Sequence, residues 1–357
     1  MGLFNRSQPC IGLDIGSSSI KLMELVHDKR TNKYRLQHFA IAPLPPEAIV
    51  DGAVMNTNVI VDTIRELVQK QRVKARQVVA SISGNAVIIK RVTLPRMSED
   101  ELEESIQWEA EQYIPFDIND VNIDVEILPS THDEPGQMDV LLVAARKELV
   151  NEYQSIISQA GLKPAIIDVD AFAISNMFEL NYNLPNETVA LVNIGASNVN
   201  IHILRAGVSA FTRDVGIGGR QFTEEIQRTL NISYEEAEAM KIGNDDQDAA
   251  AVVPEEIERV LATVGDSLAT EVQRSLDFYL STSSDSGISA IYLSGGAART
   301  PGLVRSIERQ TGLPVEIADP FRQIQIDERA FNPAFLNGVA PQAAVVVGLA
   351  ARRVGDR

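Results

Sequence analysis

A thirteen-residue segment occurs twice in this chain, and the duplication constrains the fold more than any other feature. Residues 13–25 read LDIGSSSIKLMEL and residues 192–204 read VNIGASNVNIHIL, aligned without a gap and about half the chain apart. Most apolar positions coincide in the two copies, which reads as a strand, a tight turn and a returning strand. A repeat at this distance marks two homologous lobes rather than a solenoid of short units. Its chemistry is that of an anion grip. Gly16 and Gly195 allow close backbone approach; Ser17, Ser18 and Ser19 in one copy, and Ala196, Ser197 and Asn198 in the other, then offer a row of N–H and hydroxyl donors. Two such turns facing each other can hold a phosphate tail from both sides. Asp14 heads the first turn and can orient the waters of Mg2+, an ion that keeps much of its hydration shell. One match alone would be a plain hairpin; two, with the motifs below, point to phosphate.

Three further stretches fit a nucleotide. Gly216-Ile217-Gly218-Gly219 precedes a helical pattern, so it is a second candidate phosphate-facing turn, with a helix-capping loop as the alternative. Gly295, Gly296 and Ala297 end an apolar strand, where small residues let a flat adenine or ribose lie on backbone; a strand-to-helix turn is the alternative. Glu238 and Lys241 share one helix face and could meet a ribose hydroxyl and a base edge, although a surface ion pair is the stronger reading in isolation. Asp170 opens a helix, as an N-cap or as the residue orienting an attacking water. Trp108 is expected in the core of a small unit, with the wall of a peptide groove as the alternative.

The 357 residues suffice for two or three domains. Strands are expected at 11–13, 20–26, 34–42 and 78–82, with a helix at 59–71. A β-α-β-β-α block follows: strand 86–94, a helix opened by the capping box Ser98-Glu99-Asp100-Glu101 and running to about 114, strands 121–128 and 138–145 around a polar loop, and helix 147–160 closed by Gly161. It is too large for a loop and reads as an inserted subdomain. The second half gives strand 165–169, helix 171–180, strands 189–194, 199–204 and 209–214, and helices 222–230 and 233–241. An acidic loop at 243–248, a long helix 254–281, strand 291–294, helix 301–311, strand 315–317 and an apolar helix 341–353 complete it.

A net charge of −17 argues against non-specific nucleic-acid binding and against docking on anionic lipid heads. With aromatics at 5%, the core must be mostly aliphatic. Cys10, the one cysteine, excludes an internal disulfide and is expected to be a small buried hydrophobe in a reducing compartment. Residues 1–9 lack an apolar h-region, Arg6 spoils a myristoylation signal, and no apolar run is expected to approach the roughly 18 residues of a spanning helix. Any membrane association is then borrowed from a partner.

In order and spacing, residues 14–21, 168–180, 193–200, 294–298 and 343–351 resemble the phosphate, connecting-helix and adenosine elements of the actin, sugar-kinase and heat-shock-chaperone ATPases. The resemblance implies an α/β actin-like ATPase fold: two ribonuclease-H-like lobes around a nucleotide cleft. Its parts would be a first lobe at 1–83, an inserted FtsA-type α+β subdomain at 84–162, the lobe's return at 163–188, a second lobe at 189–340 with helices at about 222–285, and a connecting helix at 341–357. FtsA carries a C-terminal amphipathic helix, and this sequence stops at Arg357 without one. The segments Gly2-Leu3-Phe4, Trp108-Glu109-Ala110-Glu111-Gln112-Tyr113-Ile114-Pro115-Phe116 and Ala144-Ala145-Arg146-Lys147-Glu148 resemble the PilM family of type IV pilus assembly. That resemblance implies ATP (or ADP) with Mg2+ in the cleft, Lys21 on phosphate, and attachment to the inner membrane from the cytoplasm. It also implies the cytoplasmic tail of a PilN-type protein as partner, within a complex with PilO and PilP that communicates with motor ATPases. Self-association as a division-type filament and a small-molecule kinase are the competing readings. Asn193 stands where the superfamily usually has Asp; an amide is a poor base, so tight binding with slow hydrolysis is expected.

Overall fold

The two copies of the repeat occupy the same place in two sheets of the same topology. In the computed structural model, which describes residues 10–129, 136–242, 255–283 and 287–355, the first sheet runs Lys33–Pro43, Ser19–Asp28, Cys10–Ile15, Gln77–Ile82, Lys163–Val169. The second runs Val208–Val215, Val199–Arg205, Thr188–Ile194, Ala290–Ser294, Val315–Ile317. In each, three strands form an antiparallel meander and two more add in parallel. Parallel neighbours need a crossover. In the first lobe the helix Thr57–Lys70 makes it, burying Ile60, Val61, Ile64, Leu67 and Val68. Cys10–Ile15 is buried along its whole length, Cys10 included, which is why it reads as an unbroken apolar run ending in Asp14 and Ile15.

Two helices, Asp170–Asn181 and Ala344–Ala351, pack against each other between the sheets. Their approach demands glycine. A Cβ on Gly348 would lie 1.7 Å from the Ala173 carbonyl oxygen, and one on Gly12 would lie 2.6 Å from Ala350 N. The second contact seats the first hairpin strand directly on the helix. Pro333–Ala351 corrects the expectation about apolar runs: it is 19 residues long, and an 18-residue window in it has a mean hydropathy of 1.6, enough in length and composition to cross a membrane. It is instead helical in pieces, and residues 344–350 are buried in the core shared by the two lobes.

A third, antiparallel sheet of Val87–Pro95, Gln137–Arg146 and Val121–Ile127 fills the inserted stretch. The helix Glu99–Ala110 covers it with Leu102, Ile106 and Ala110, and its capping box is formed, Ser98 N donating to Glu101 Oε2 at 2.7 Å. The helix Lys147–Gln159 is the one expected to close the inserted block. Its Tyr153, Ile156 and Ile157 pack in the core of the first lobe with Ile60 and Ile64. The small hairpin Ile49–Val50 and Ala53–Val54 and the helix Pro333–Val339 were not expected from the pattern. The acidic loop 243–248, most of the polar loop after residue 129, and residues 2–4 lie outside the described residues.

Candidate functional site

Both turns open onto one cleft of about 1270 Å3. They touch across it: the Ser17 and Ser197 hydroxyls are 2.9 Å apart. Each turn is closed by its own glycine N–H, Gly16 donating to Ser19 O at 3.1 Å and Gly195 to Asn198 O at 2.9 Å. Asp14 pairs with Lys21 in the hairpin register, their carboxylate and ammonium 3.1 Å apart. The same register position in the second hairpin holds Asn193 opposite Asn200. Asn193 Oδ1 accepts a hydrogen bond from Ser294 Oγ at 3.2 Å.

Of the residues expected to hold the ligand, Asp14, Gly16, Ser17, Ser18, Ser19, Lys21, Asn193, Gly195, Ala196, Ser197, Asn198, Gly219, Glu238, Lys241, Gly295, Gly296 and Ala297 all line the cleft. Gly218 stands behind it. Gly219 N donates to Gly195 O and Arg220 N to Ala196 O, each at 2.8 Å, while a Cβ on Gly218 would lie 2.6 Å from Ala196 O. The first N–H groups of the helix Gly219–Leu230 thus brace the second hairpin, and the turn expected to face phosphate stands behind that hairpin's own turn.

At the far end, Lys241 is only 8% exposed, which corrects the surface-pair reading. Its ammonium donates to Glu238 Oε2 at 2.6 Å, Thr223 Oγ1 at 3.0 Å and Gly219 O at 3.3 Å. Gly295 has φ +92°, and a Cβ there would meet Ile194 O at 2.3 Å, so the loop needs glycine. A Cβ on Gly296 would find its nearest neighbour at 3.8 Å, leaving a flat backbone face open to the cleft.

Asp170 is the first residue of its helix and makes no side-chain cap, which removes the N-cap reading. It faces the cleft and accepts a hydrogen bond from Ser81 Oγ. Burial, and then the Asp14 charge, push its carboxyl up to about 6 against the opposing hydrogen bonds of Ser81 and Ser83. Among the described residues, no group of three His, Cys, Asp or Glu side chains could hold a metal ion directly.

Several cleft residues escaped the sequence reading. Asp214, next to the end of the strand Val208–Val215, binds Asn200 and the Gly84 N–H; Arg220 reaches from the second lobe to Pro46 O of the first at 3.2 Å. Trp108 is 77% exposed, so the expectation of a core aromatic is wrong. Leu102, Ile106 and Ala110, four apart, make the buried stripe, and Trp108 lies off it.

Residues 12–354 match the family described as type IV pilus assembly protein PilM. Among solved structures, the chain matches one of a PilM-PilN type IV pilus biogenesis complex with TM-score 0.84 and 30% identity, over 96% of this chain and 97% of that one. MreB5 of Spiroplasma citri, solved bound to ADP, shares the fold at TM-score 0.52 and 14% identity, over 96% and 94% of the two chains. The cell division protein FtsA of Bacillus subtilis (strain 168) is 23% identical over 88% of this chain and 80% of its own length. With an actin-like fold and a family match over nearly its whole length, the chain belongs to the type IV pilus assembly protein PilM family.

Proposed function

We propose that the chain is an ATP-holding scaffold of type IV pilus assembly, held at the inner membrane by binding the cytoplasmic tail of a PilN-type protein. The observation that carries the nucleotide part is the meeting of both hairpins on one cleft, with Gly16, Gly195 and Gly296 keeping backbone clear of side chains. Lys21 and the serines of the first turn would hold the phosphates, and Gly295, Gly296, Ala297, Glu238 and Lys241 the nucleoside. The glycine cradle and the Lys21 ammonium fit such a ligand. The donor set also fits Mg2+ held through water, because Asp14 offers one carboxylate at the head of the turn and, among the described residues, no direct cage accompanies it. Bound ATP supplies a phosphoanhydride bond. Asp170 would hold a water facing it, while Asn193 brings no charge and its oxygen is engaged by Ser294. Slow turnover follows.

The PilN-type tail enters from the PilM-PilN complex that the chain resembles. Residues 97–145 hold 14 Asp and Glu and no Lys or Arg, a charge that suits a cationic tail. The exposed Trp108 ring offers an apolar anchor there. PilO and PilP would join through the PilN-type protein. The division into two lobes, an inserted unit and two connecting helices belongs to the same proposal. The test is to release and identify any nucleotide that co-purifies with the native protein, and to titrate ATP into the emptied protein calorimetrically. Saturable ATP binding at one site supports the reading; none in either assay defeats it.

A further inference from the structure

The inserted unit begins just after Gln77–Ile82, at a turn that touches the other lobe. Gly84 has φ +85°, a conformation that favours glycine, and its carbonyl accepts from Val87 N at 3.0 Å to start the strand Val87–Pro95. Its N–H donates across the cleft to Asp214 Oδ2 at 2.6 Å. The other oxygen of that carboxylate accepts from Asn200 Nδ2, also at 2.6 Å. Asn200 is 6% exposed and sits opposite Asn193 in the second hairpin. A Cβ on Gly84 would lie 3.4 Å from Asn198 Nδ2 of the same hairpin, and Val87–Pro95 packs on Val208–Val215. One carboxylate thus bridges the second phosphate-type turn and the root of the inserted unit, through two short hydrogen bonds of the strong, charge-assisted kind.

We infer that Asp214 ties the inserted unit to the second hairpin, so that a ligand that shifts the hairpin shifts the unit. The inference rests on the reading of the cleft as a nucleotide site for its trigger, but the tie itself does not. A linkage of this kind gives two sites a coupling free energy when both bias the same movable element. Here the element is the strand Val87–Pro95 with its two partners, and the bias enters through Asn200. Asn200 Oδ1 has no hydrogen-bond partner among the described residues, so the amide can flip and offer its oxygen if residue 214 becomes a donor. Asp214→Asn should therefore preserve the bridge, with Oδ1 still accepting from Gly84 and the new amide donating to Asn200.

The experiment is hydrogen–deuterium exchange on the full chain and on Asp214→Ala, Asp214→Asn and Asn200→Ala, with and without ATP and Mg2+. ATP binding by each protein is measured calorimetrically in parallel. In Asp214→Ala the amides of residues 84–87 should exchange about tenfold faster without ligand, the scale of one lost local hydrogen bond. The ATP-induced change at residues 87–95 should vanish while ATP still binds. Asn200→Ala cuts the other half of the bridge and should also abolish the ATP-induced change, which keeps the test open if Asp214→Ala fails to fold. Asp214→Asn should behave as the parent. An ATP-induced change that survives in both alanine variants overturns the inference and leaves the nucleotide reading standing. Loss of ATP binding in Asp214→Ala also overturns it, because that places Asp214 in the ligand grip. If the parent binds no ATP, the nucleotide reading fails, and the tie is judged on the ligand-free proteins: faster exchange in Asp214→Ala supports it, unchanged exchange overturns it.

Discussion

The Lys21 ammonium lies 3.1 Å from the Asp14 carboxylate, at the register position that Asn193 and Asn200 hold in the second hairpin. Two turns of similar sequence and the same topology thus carry different charge: an ion pair in the first, two amides in the second. Under the proposed function, the asymmetry puts phosphate binding mainly on the first turn. Lys21→Ala should weaken ATP binding by about tenfold or more, roughly 1.4 kcal/mol, in a calorimetric titration. An unchanged Kd would remove Lys21 from the grip.

The amide at position 193 makes a kinetic prediction. Restoring a carboxylate there adds a charged group that can orient water and a hydrated cation. Asn193→Asp should raise steady-state phosphate release several-fold over the parent. An unchanged rate would show that the missing acid is not what holds turnover down.

Asp170 predicts a pH-dependent stability. Its carboxyl is pushed from an ordinary 3.8 to about 6 in the folded chain, first by burial and then by Asp14. Between those values the native state keeps a proton that the unfolded chain has lost. Stability therefore falls as pH rises through that window and stays lower above it. Asp170→Asn cannot ionise, and its Oδ1 can still accept from Ser81. It should raise the Tm by about 1–3 °C at about pH 7.5 and leave it nearly unchanged below about pH 4. Equal gains at both pH values would mean that the carboxyl is not perturbed as described.

The contact between the connecting helices predicts a contrast between two glycines. A Cβ on Gly348 would stand 1.7 Å from Ala173 O, while one on Gly338 would meet nothing within 4 Å. Gly348→Ala should cost about 3 kcal/mol through forced separation of the helices, and Gly338→Ala should stay within about 0.5 kcal/mol. Denaturant melts of the two variants check this; comparable stability would mean that the helices part without cost.

Much of this was legible in the chain because its signals are local. Apolar alternation and the glycine after Asp14 or Asn193 specify a hairpin whatever lies around it, and the repeat then implies two similar sheets. The capping box at Ser98 and Glu101 is equally local. What stayed hidden depends on contacts distant in sequence. An amphipathic pattern at 147–159 fits either neighbouring sheet, and only packing assigns Tyr153 and Ile156 to the first lobe. Asp214 looks like any strand-end acid until Gly84 arrives from the other lobe. Gly218 looks like a phosphate turn because its bracing partners, Gly195 and Ala196, are more than twenty residues away. Trp108 differs: the spacing of Leu102, Ile106 and Ala110 already marked the buried face and left it out.

In the function we propose, the chain is an ATP-loaded scaffold for a PilN-type tail. The most direct measurement titrates a fluorescently labelled peptide of that cytoplasmic tail into the protein, emptied of nucleotide and then saturated with ATP and Mg2+. Saturable binding whose affinity differs between the two states, and which weakens when Trp108 is replaced by Ala, is the predicted result. No saturable binding in either state would contradict the account.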